Sequence, residues 1–425
     1  MGFTIIGVLL ATFLAGIPLA FSIGIATFVG ALATQVPLQA VIQQMIRGID
    51  SFVLLAVPAF LLAGNLMNSG GITTRLFTFA ERLTGFIPGS LAHASVVASC
   101  IFAGMTGSAV AEAGGLGLVE IKAMRENGFD ADFACAVTAA SAIIGPIIPP
   151  SIPMVLYGAA ADVSVARLFL GGFIPGLLMA AFMMIYIYWV ARRGRFPRGS
   201  VPSGRDLWIV FKRAGLALCT PVILLGGIFT GIVTPTEASI LAVVYALIII
   251  LAVYREITAQ EIYRAVLDSL FSTAIVGVII AFSYGFSFVL TMMQVPQQAA
   301  AWLLGVTQDP LTILLILNVF FLIVGLFMDP TAAILVLTPI LMPVVKSAGI
   351  DPVHFGLVMV LNLMIGLLTP PVGMVLYTVA NVGTISVERL LKQLVPFYIP
   401  LLLVLVLITL FPSTVLVVPN LIMGR

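Results

Sequence analysis

Acidic side chains inside apolar segments are the first residues of this sequence that could do chemistry. Asp329 lies where an apolar stretch reverses, and Glu112 and Glu237 lie in other apolar segments. An isolated carboxylate is costly to bury in an apolar medium, so such a group is expected to face a cavity or to pair with a cation. Asp329 is the best candidate, with Glu112 and Glu237 next. An alternative for Glu112 is that it faces the water beside a polar linker.

Two proline-rich segments could also bind a cation, through backbone oxygens. Gly145 to Pro153 and Gly366 to Gly373 each contain two consecutive prolines in the middle of a long apolar stretch. Because prolines lack a backbone donor and clash with preceding carbonyl groups, the helix must unwind there. Unwound carbonyl groups, together with hydroxyl groups, suit a hard monovalent cation such as sodium. A simple kink is the alternative for a single Pro-Pro pair, and the duplicated arrangement argues against it.

Two other interruptions predict tight reversals of the chain. Arms of roughly 12 to 16 residues reach about 18 to 24 Å, which is less than the roughly 30 Å of a hydrocarbon core. Each pair of arms therefore predicts a hairpin that enters a membrane and returns. Ser108 or Thr331 could cap the returning arm, and Pro330 suits a first helical turn. The arms are Leu91 to Phe102, Ala109 to Met124, Leu311 to Val324 and Thr331 to Val345.

The composition places these features in a lipid bilayer. Of the 425 residues, 61% are hydrophobic and 8% are charged, which is too apolar for a water-soluble fold. Several apolar runs reach the roughly 20 residues that span a bilayer. Backbone groups in lipid must bond internally, so the sequence predicts an all-α polytopic membrane protein. The first run lacks the basic start of a secretory signal and is expected to form one permanent helix. The runs include Phe3 to Ala33, Arg167 to Val190, Ile232 to Val253, Ala265 to Met293 and Phe397 to Val418.

Several function classes lack their sequence signatures. The sequence contains no Gly-x-x-x-x-Gly-Lys-Ser/Thr phosphate loop, no His-Glu-x-x-His motif and no Ser-His-Asp set in plausible register. The three cysteines show no metal-type spacing. We therefore predict that the chain is not an enzyme, does not itself hydrolyse ATP and does not bind nucleic acid.

Equivalent residues recur along the chain at an offset of 221 residues. Shared glycines, prolines and an aspartate at a held spacing are harder to match by chance than apolar residues, which favours internal duplication. Duplicated carriers commonly set their repeats in opposite orientations, with the solute site where the repeats meet. If each half crosses an odd number of times, the repeats are inverted. The matched pairs include Gly104 and Gly325, Gly128 and Gly349, Asp130 and Asp351, Gly145 and Gly366, and Pro149-Pro150 and Pro370-Pro371.

A basic linker over 192–213 separates the two halves. Its positive charge predicts a cytoplasmic location. We predict a first inverted repeat over 1–191, with a hairpin at about 89–125 and a broken helix at about 132–161. A second repeat over 214–425 has its hairpin at about 310–346 and its broken helix at about 354–382. The basic residues of the linker are Arg192, Arg193, Arg195, Arg198, Arg205, Lys212 and Arg213.

Four segments carry a resemblance to a known family: Gly104 to Ala113, Gly145 to Pro153, Gly325 to Pro343 and Gly366 to Tyr377. The stretches GMTGSAVAEAGG and GLLTPPVGMVLY are specific in combination, although a wider ion transporter superfamily shares the general plan. On these motifs the chain resembles, from Phe3 to about Pro419, the large membrane subunit of the tripartite ATP-independent periplasmic (TRAP) transporters.

The resemblance implies a sodium-driven elevator that uses two or more Na⁺ ions. A transport domain with both hairpins and both broken helices would slide against a scaffold of the remaining helices. It implies a first sodium site at Thr106, Gly107, Ser108, Gly145, Ile148 and Pro150, and a second at Gly325, Asp329, Thr331, Gly366, Thr369 and Pro371. Many of these residues would contribute main-chain oxygens, and Asp329 could instead brace the second tip. The residues that contact the solute are not identified.

The resemblance also implies a multi-pass protein of a bacterial inner membrane with two partners. These are a small four-helix membrane subunit and a periplasmic solute-binding protein that delivers the solute. Because the sequence starts directly with an apolar segment, the small subunit is expected to be a separate chain. The solute would be an organic anion such as a C4-dicarboxylate, sialic acid or a similar carboxylate, which the positive ends of the half-helices after Ser108 and Pro330 could receive.

Two alternatives stay open. The nearer one is a single-component sodium/dicarboxylate-type carrier of the same superfamily, which needs neither partner. The other is an ion channel, which usually has a ring of identical segments around a continuous water path. The asymmetric broken helices argue against a channel.

Overall fold

The computed structural model describes residues 2–194, 196 and 201–424. Across these residues the chain folds into α-helices joined by turns, and no strand occurs in this part of the chain. The helices of the first half are α1 (Gly2–Leu14), α2 (Leu19–Ala33), α3 (Leu38–Ile49), α4 (Ala56–Ser69), α5 (Ile72–Thr84), α6 (Ser90–Thr106), α7 (Ala109–Glu126), α8 (Ala131–Ala142), α9 (Ile152–Ala161) and α10 (Val165–Gly194).

The second half is also built from long and short helices. Its helices are α11 (Gly204–Phe229), α12 (Pro235–Ile248), α13 (Ala259–Met292), α14 (Val295–Val306), α15 (Pro310–Phe327), α16 (Pro330–Ser347), α17 (Pro352–Gly366), α18 (Met374–Gly383), α19 (Val387–Leu394), α20 (Tyr398–Leu410) and α21 (Ser413–Met423).

Eight helical stretches of the described chain are long and apolar enough to cross a membrane. An all-helical polytopic membrane protein is thereby confirmed as the fold class. The eight stretches are Phe52–Ser69, Val165–Gly194, Gly204–Phe229, Pro235–Tyr254, Ala259–Met292, Pro310–Phe327, Pro330–Ser347 and Val387–Leu410.

Two apolar runs are divided where the sequence predicted one continuous helix. The first run ends its helix at Leu14 and resumes at Leu19, because Gly16 has a φ of +88° and Pro18 cannot donate a backbone hydrogen bond. The last run stops at Leu410 and resumes at Ser413, around Pro412. In both places a glycine or proline ends the helix although the sequence remains apolar.

The helices form two groups, which also pack on each other through α13 and α16. In one, α2, α3 and α4 pack on the long α13, and α12 packs on α4. In the other, α7 packs on α8, α15 on α17, and α16 on α9, while α10 runs beside α20 and α21. Both groups bury large aromatic side chains, such as Phe286 in the first group and Phe355 in the second. Helices α6 and α18 both pack on α7 and α8, so the second group contains all the interrupted segments that the sequence singled out.

The basic linker is shorter than predicted. Helix α10 continues through Arg192 and Arg193, whose charge lies near the end of that helix, and α11 begins at Gly204. The guanidinium group of Arg193 stacks on Trp189, 3.9 Å from the ring centroid. Arg195 and Arg198 lie outside the described residues.

Candidate cation-binding site

The first predicted hairpin reverses at two residues between α6 and α7. Gly107 has a φ of +59°, a conformation that a residue with a side chain rarely adopts. Ser108 caps α7, because its side-chain oxygen accepts a hydrogen bond from the backbone N–H of Ala111 at 3.4 Å. The cap at Ser108 is the one that the sequence suggested.

The second reversal, between α15 and α16, differs in its cap. Asp329 rather than Thr331 caps α16, since Asp329 Oδ1 accepts hydrogen bonds from the N–H groups of Thr331 at 2.8 Å and Ala332 at 3.4 Å. Pro330 occupies the first turn, where its missing N–H costs nothing. Asp329 therefore braces the tip, which was the alternative role considered for it.

The arms of both hairpins are longer than the sequence suggested. Helices α6, α7, α15 and α16 contain 17, 18, 18 and 18 residues, which corresponds to about 26 Å each. The helices continue through Gly104 and Gly325, because these glycines serve close packing rather than the turn. A Cβ atom at Gly104 would lie within contact distance of Pro221, and one at Gly325 would lie 3.2 Å from the Cα atom of Gly366.

The two proline-rich segments separate α8 from α9 and α17 from α18. The first segment, 143–151, is buried throughout, whereas Pro370 and Pro371 of the second segment, 367–373, are exposed. Both Pro-Pro peptide bonds are cis. The two breaks thus share their backbone chemistry and differ in accessibility.

We call the reversal of each hairpin its tip, and the proline-rich segments 143–151 and 367–373 the first and second break. In each half the tip contacts the break. The N–H of Ile152 donates to the carbonyl oxygen of Gly107 at 3.4 Å, and the N–H of Val372 donates to that of Leu326 at 3.2 Å. A Cβ atom at Gly107 would lie 2.5 Å from the carbonyl oxygen of Pro150. Only glycine allows this approach. Tip and break therefore form one backbone-lined site in each half.

Some predicted residues of the first sodium site lie together at the tip and the break, whereas the side chain of Ile148 lies elsewhere. The structure brings Gly107 against Pro150, as described above. Thr106 is also buried and its Oγ1 has no hydrogen-bond partner, although its methyl group packs toward Gly64. In contrast, the side chain of Ile148 fills the space at Gly176 of α10, so any contribution of Ile148 comes from its backbone.

Glu112 is a residue of this site that the predicted ligand set omitted. It is only 1% exposed, and neither carboxylate oxygen has a hydrogen-bond partner. Its Oε2 would lie 2.5 Å from a Cβ atom at Gly145, so the carboxylate contacts the backbone of the first break. The water-facing alternative for Glu112 is wrong. The signal was present in the sequence, because Glu112 follows the cap residue Ser108 by one helical turn.

The second predicted site is held together by glycine and hydroxyl contacts. A Cβ atom at Gly366 would lie 2.5 Å from the carbonyl oxygen of Gly325. Thr369 Oγ1 donates to the carbonyl oxygen of Gly366 at 2.8 Å, and the Tyr377 hydroxyl donates to that of Pro371 at 3.1 Å. Each of these carbonyl oxygens has a second lone pair, which can accept a further contact such as that of a cation.

Asn362 is a second residue that the predicted ligand sets omitted. It lies on α17 one turn before Gly366, and its amide nitrogen donates to Asn318 Oδ1 and to the carbonyl oxygen of Val358, both at 2.7 Å. Its own Oδ1 is buried without a partner. An amide in an apolar helix just before a proline-rich break is the sequence signal that could have identified it.

Glu237, the third acidic candidate, has a different role. Its Oε2 accepts hydrogen bonds from the N–H of Thr234 at 2.7 Å and from the Thr234 hydroxyl at 2.8 Å, which forms a capping box at the start of α12. Glu237 is exposed. The prediction of a buried ionisable group is therefore wrong at this position.

The contact between Gly325 and Gly366 leads to a first testable prediction. Gly366→Ala places a methyl group 2.5 Å from the carbonyl oxygen of Gly325, and such overpacking costs about 1 to 3 kcal/mol. We expect a lower thermal-unfolding midpoint in detergent. Gly215→Ala is the matched control, because a Cβ atom at this helical glycine meets open space. Equal midpoints for both variants would show that the two backbones can separate without cost.

Comparison with known proteins identifies the family of the chain. Residues 6–414 match the family described as tripartite ATP-independent periplasmic transporter, DctM component. The sialic acid TRAP transporter large permease protein SiaM of Vibrio cholerae is 44% identical over 411 residues, covering 96% of each chain. The sialic acid TRAP transporter permease protein SiaT of Haemophilus influenzae is 42% identical over 407 residues, which are 96% of this chain and 66% of that protein. The C4-dicarboxylate TRAP transporter large permease protein DctM of Rhodobacter capsulatus is 36% identical over 433 residues, covering 98% of each.

A solved structure has a similar fold. The YdaH transporter of Alcanivorax borkumensis superposes with a TM-score of 0.59 at 15% identity, covering 88% of this chain and 89% of that one. At this identity the likeness concerns the fold alone. The family match spans most of the sequence, and its members are transport permeases rather than enzymes. The family suggested by the sequence motifs is confirmed: the chain belongs to the DctM component of the tripartite ATP-independent periplasmic transporters.

Proposed function

We propose that this chain is the sodium-coupled membrane permease for a small organic anion in a bacterial inner membrane. The observation that carries the proposal is the duplicated contact between a hairpin tip and a broken helix, with unpaired oxygen atoms beside both contacts. Thr106 Oγ1 and Glu112 are unpaired in the first half, and Asn362 Oδ1 is unpaired in the second. Buried oxygens without hydrogen-bond partners call for a ligand.

Two sodium ions occupy these places in the proposal. The first ion binds to backbone oxygens of the Gly107 tip and of the 143–151 break, with Thr106 and Glu112 as side-chain ligands. The second binds between Asp329 at its tip and the 367–373 break, with Thr369 and Asn362 nearby. Sodium accepts such mixed sets of carbonyl, hydroxyl and carboxylate oxygens. Each proposed site then has one acidic group, Glu112 or Asp329, to balance an ion.

The solute is proposed to be a carboxylate, bound between the two tips. Helices α7 and α16 both begin at a tip, so the partial positive charge of each N-terminus lies where an anion could be received. The relatives are named for sialic acid and for C4-dicarboxylates, which are all carboxylates. A substrate of this class therefore agrees with the electrostatics of the tips.

The same proposal includes two inverted repeats, re-entrant hairpins and an elevator movement. The second packed group, with all four interrupted segments, is the proposed transport domain, and the group around α13 is the scaffold. The family description names a tripartite system, which supports a small membrane subunit and a periplasmic solute-binding protein as partners. The first break is buried, and the prolines of the second break are exposed. This difference agrees with a transport domain that is accessible from one side of the membrane only.

Sodium binding to the purified chain tests the proposal most directly. A ligand that binds only the folded state stabilises it by about 2.7 kcal/mol at one hundred times its dissociation constant. We therefore expect sodium chloride to raise the thermal-unfolding midpoint by several degrees above that in potassium or choline chloride at equal ionic strength. Identical midpoints in all three salts at saturating concentrations would contradict sodium sites in this chain.

A further inference from the structure

Glu120 is a second buried carboxylate on α7, and neither proposed sodium site uses it. The residue is 1% exposed, and its Oε1 has no hydrogen-bond partner. It lies eight residues after Glu112, which is about 12 Å along the helix. A carboxylate without a partner is strongly unfavourable in an apolar interior. If Glu120 is ionised, it therefore needs a positive charge beside it.

Two hydroxyl groups from neighbouring helices lie beside this carboxylate. Ser95 extends from α6 and Thr138 from α8, and they are 0% and 1% exposed. Neither hydroxyl oxygen makes a hydrogen bond at standard geometry. Gly117, one turn before Glu120, leaves room for Thr138, since a Cβ atom there would lie 2.9 Å from Thr138 Cγ2. Three helices thus place oxygen-bearing side chains close together in one small region.

The chemistry of this region fits a hard monovalent cation. Carboxylate and hydroxyl oxygens are the ligands that such ions prefer. One carboxylate balances one positive charge, so the filled site is neutral in its apolar surroundings. A divalent ion would leave a net charge, and no group of three His, Cys, Asp or Glu side chains suited to a metal occurs in the described chain.

We propose that Glu120, Ser95 and Thr138 bind one sodium ion at a site separate from the two hairpin tips. The inference rests on the proposed sodium coupling and adds a third sodium-binding site to it. The site lies on α7 between the first tip and the helix end at Glu126.

Equilibrium binding of radioactive sodium to the purified full chain tests the proposal. Glu120→Gln keeps the shape of the side chain and removes its charge, so we expect one bound ion fewer per chain than in the parent. Thr138→Val removes only a hydroxyl oxygen and is expected to weaken the binding of this ion at least tenfold. Glu126→Gln is the matched control. Its side chain is 65% exposed and 4.0 Å from Lys122, so the ion count should match the parent.

The possible outcomes separate this inference from the proposed function. If the parent chain binds no sodium, the proposed function fails. If the parent binds sodium and both Glu120→Gln and Thr138→Val bind the same number of ions with the same affinity, Glu120 is a protonated structural group and the inference is overturned. If Glu120→Gln does not fold, Thr138→Val decides, because loss of one hydroxyl leaves the carboxylate in place.

Discussion

Proteoliposomes that contain this chain alone are expected to show little uptake, and uptake should appear when the small membrane subunit and the periplasmic solute-binding protein are added. The solute-binding protein would be loaded with radiolabelled sialic acid or succinate, and an inward sodium gradient would drive accumulation. A sodium ionophore should abolish accumulation, because it removes the gradient that makes inward movement favourable. This difference between complete and incomplete systems is the largest effect that the proposal predicts.

Two controls are needed: a potassium gradient in place of the sodium gradient, and proteoliposomes that lack one of the partners. A potassium gradient of equal size should leave only background uptake. Full activity of the chain alone would favour a single-component carrier of the same superfamily. Current that flows without solute through the complete complex would favour a channel. Both outcomes would contradict the tripartite mechanism, although the family assignment would remain.

Features that depend on local backbone chemistry could be predicted from the sequence. Consecutive prolines such as Pro149-Pro150 remove donors whatever surrounds them, so helices cannot continue there. Ser108 caps α7 because its short side chain reaches the nearby backbone N–H groups. Pro330 likewise occupies a first turn. Each of these positions is decided within a few residues of chain.

Contacts between residues far apart in the sequence could not be predicted, although Glu112 and Asn362 could have been recognised as candidates. The burial of Glu112 requires the first break to fold over it, and the role of Asn362 requires its contact with Asn318, 44 residues away. Gly104 lies in a segment where the sequence predicted a reversal, yet it is helical, and its lack of a side chain allows the close approach of Pro221. The apolar pattern also hid the interruption at Gly16, since hydropathy does not record a left-handed backbone.

Removal of the charge at Asp329 should separate its two roles. Asparagine caps helices about as well as aspartate, so Asp329→Asn should preserve the hydrogen bonds to the N–H groups of Thr331 and Ala332. The substitution nevertheless removes the negative charge that would balance the second sodium ion. Loss of a charged ligand costs about 1 to 3 kcal/mol, so half-maximal uptake should require about 5 to 150 times more sodium. The thermal-unfolding midpoint without sodium should stay close to that of the parent.

Asp309→Asn is the matched control at the other end of α15. Asp309 is also a helix cap, since its Oδ2 accepts a hydrogen bond from the N–H of Thr312 at 2.8 Å, but it is exposed and lies far along the arm from the tip. We expect its sodium dependence to match the parent. Milder effects of the same kind should follow Thr106→Ala and Ser108→Ala, through the first site. If folded Asp329→Asn protein in the membrane shows the sodium dependence of the parent, Asp329 only braces the tip, and the charge that couples sodium to transport must be sought at Glu112.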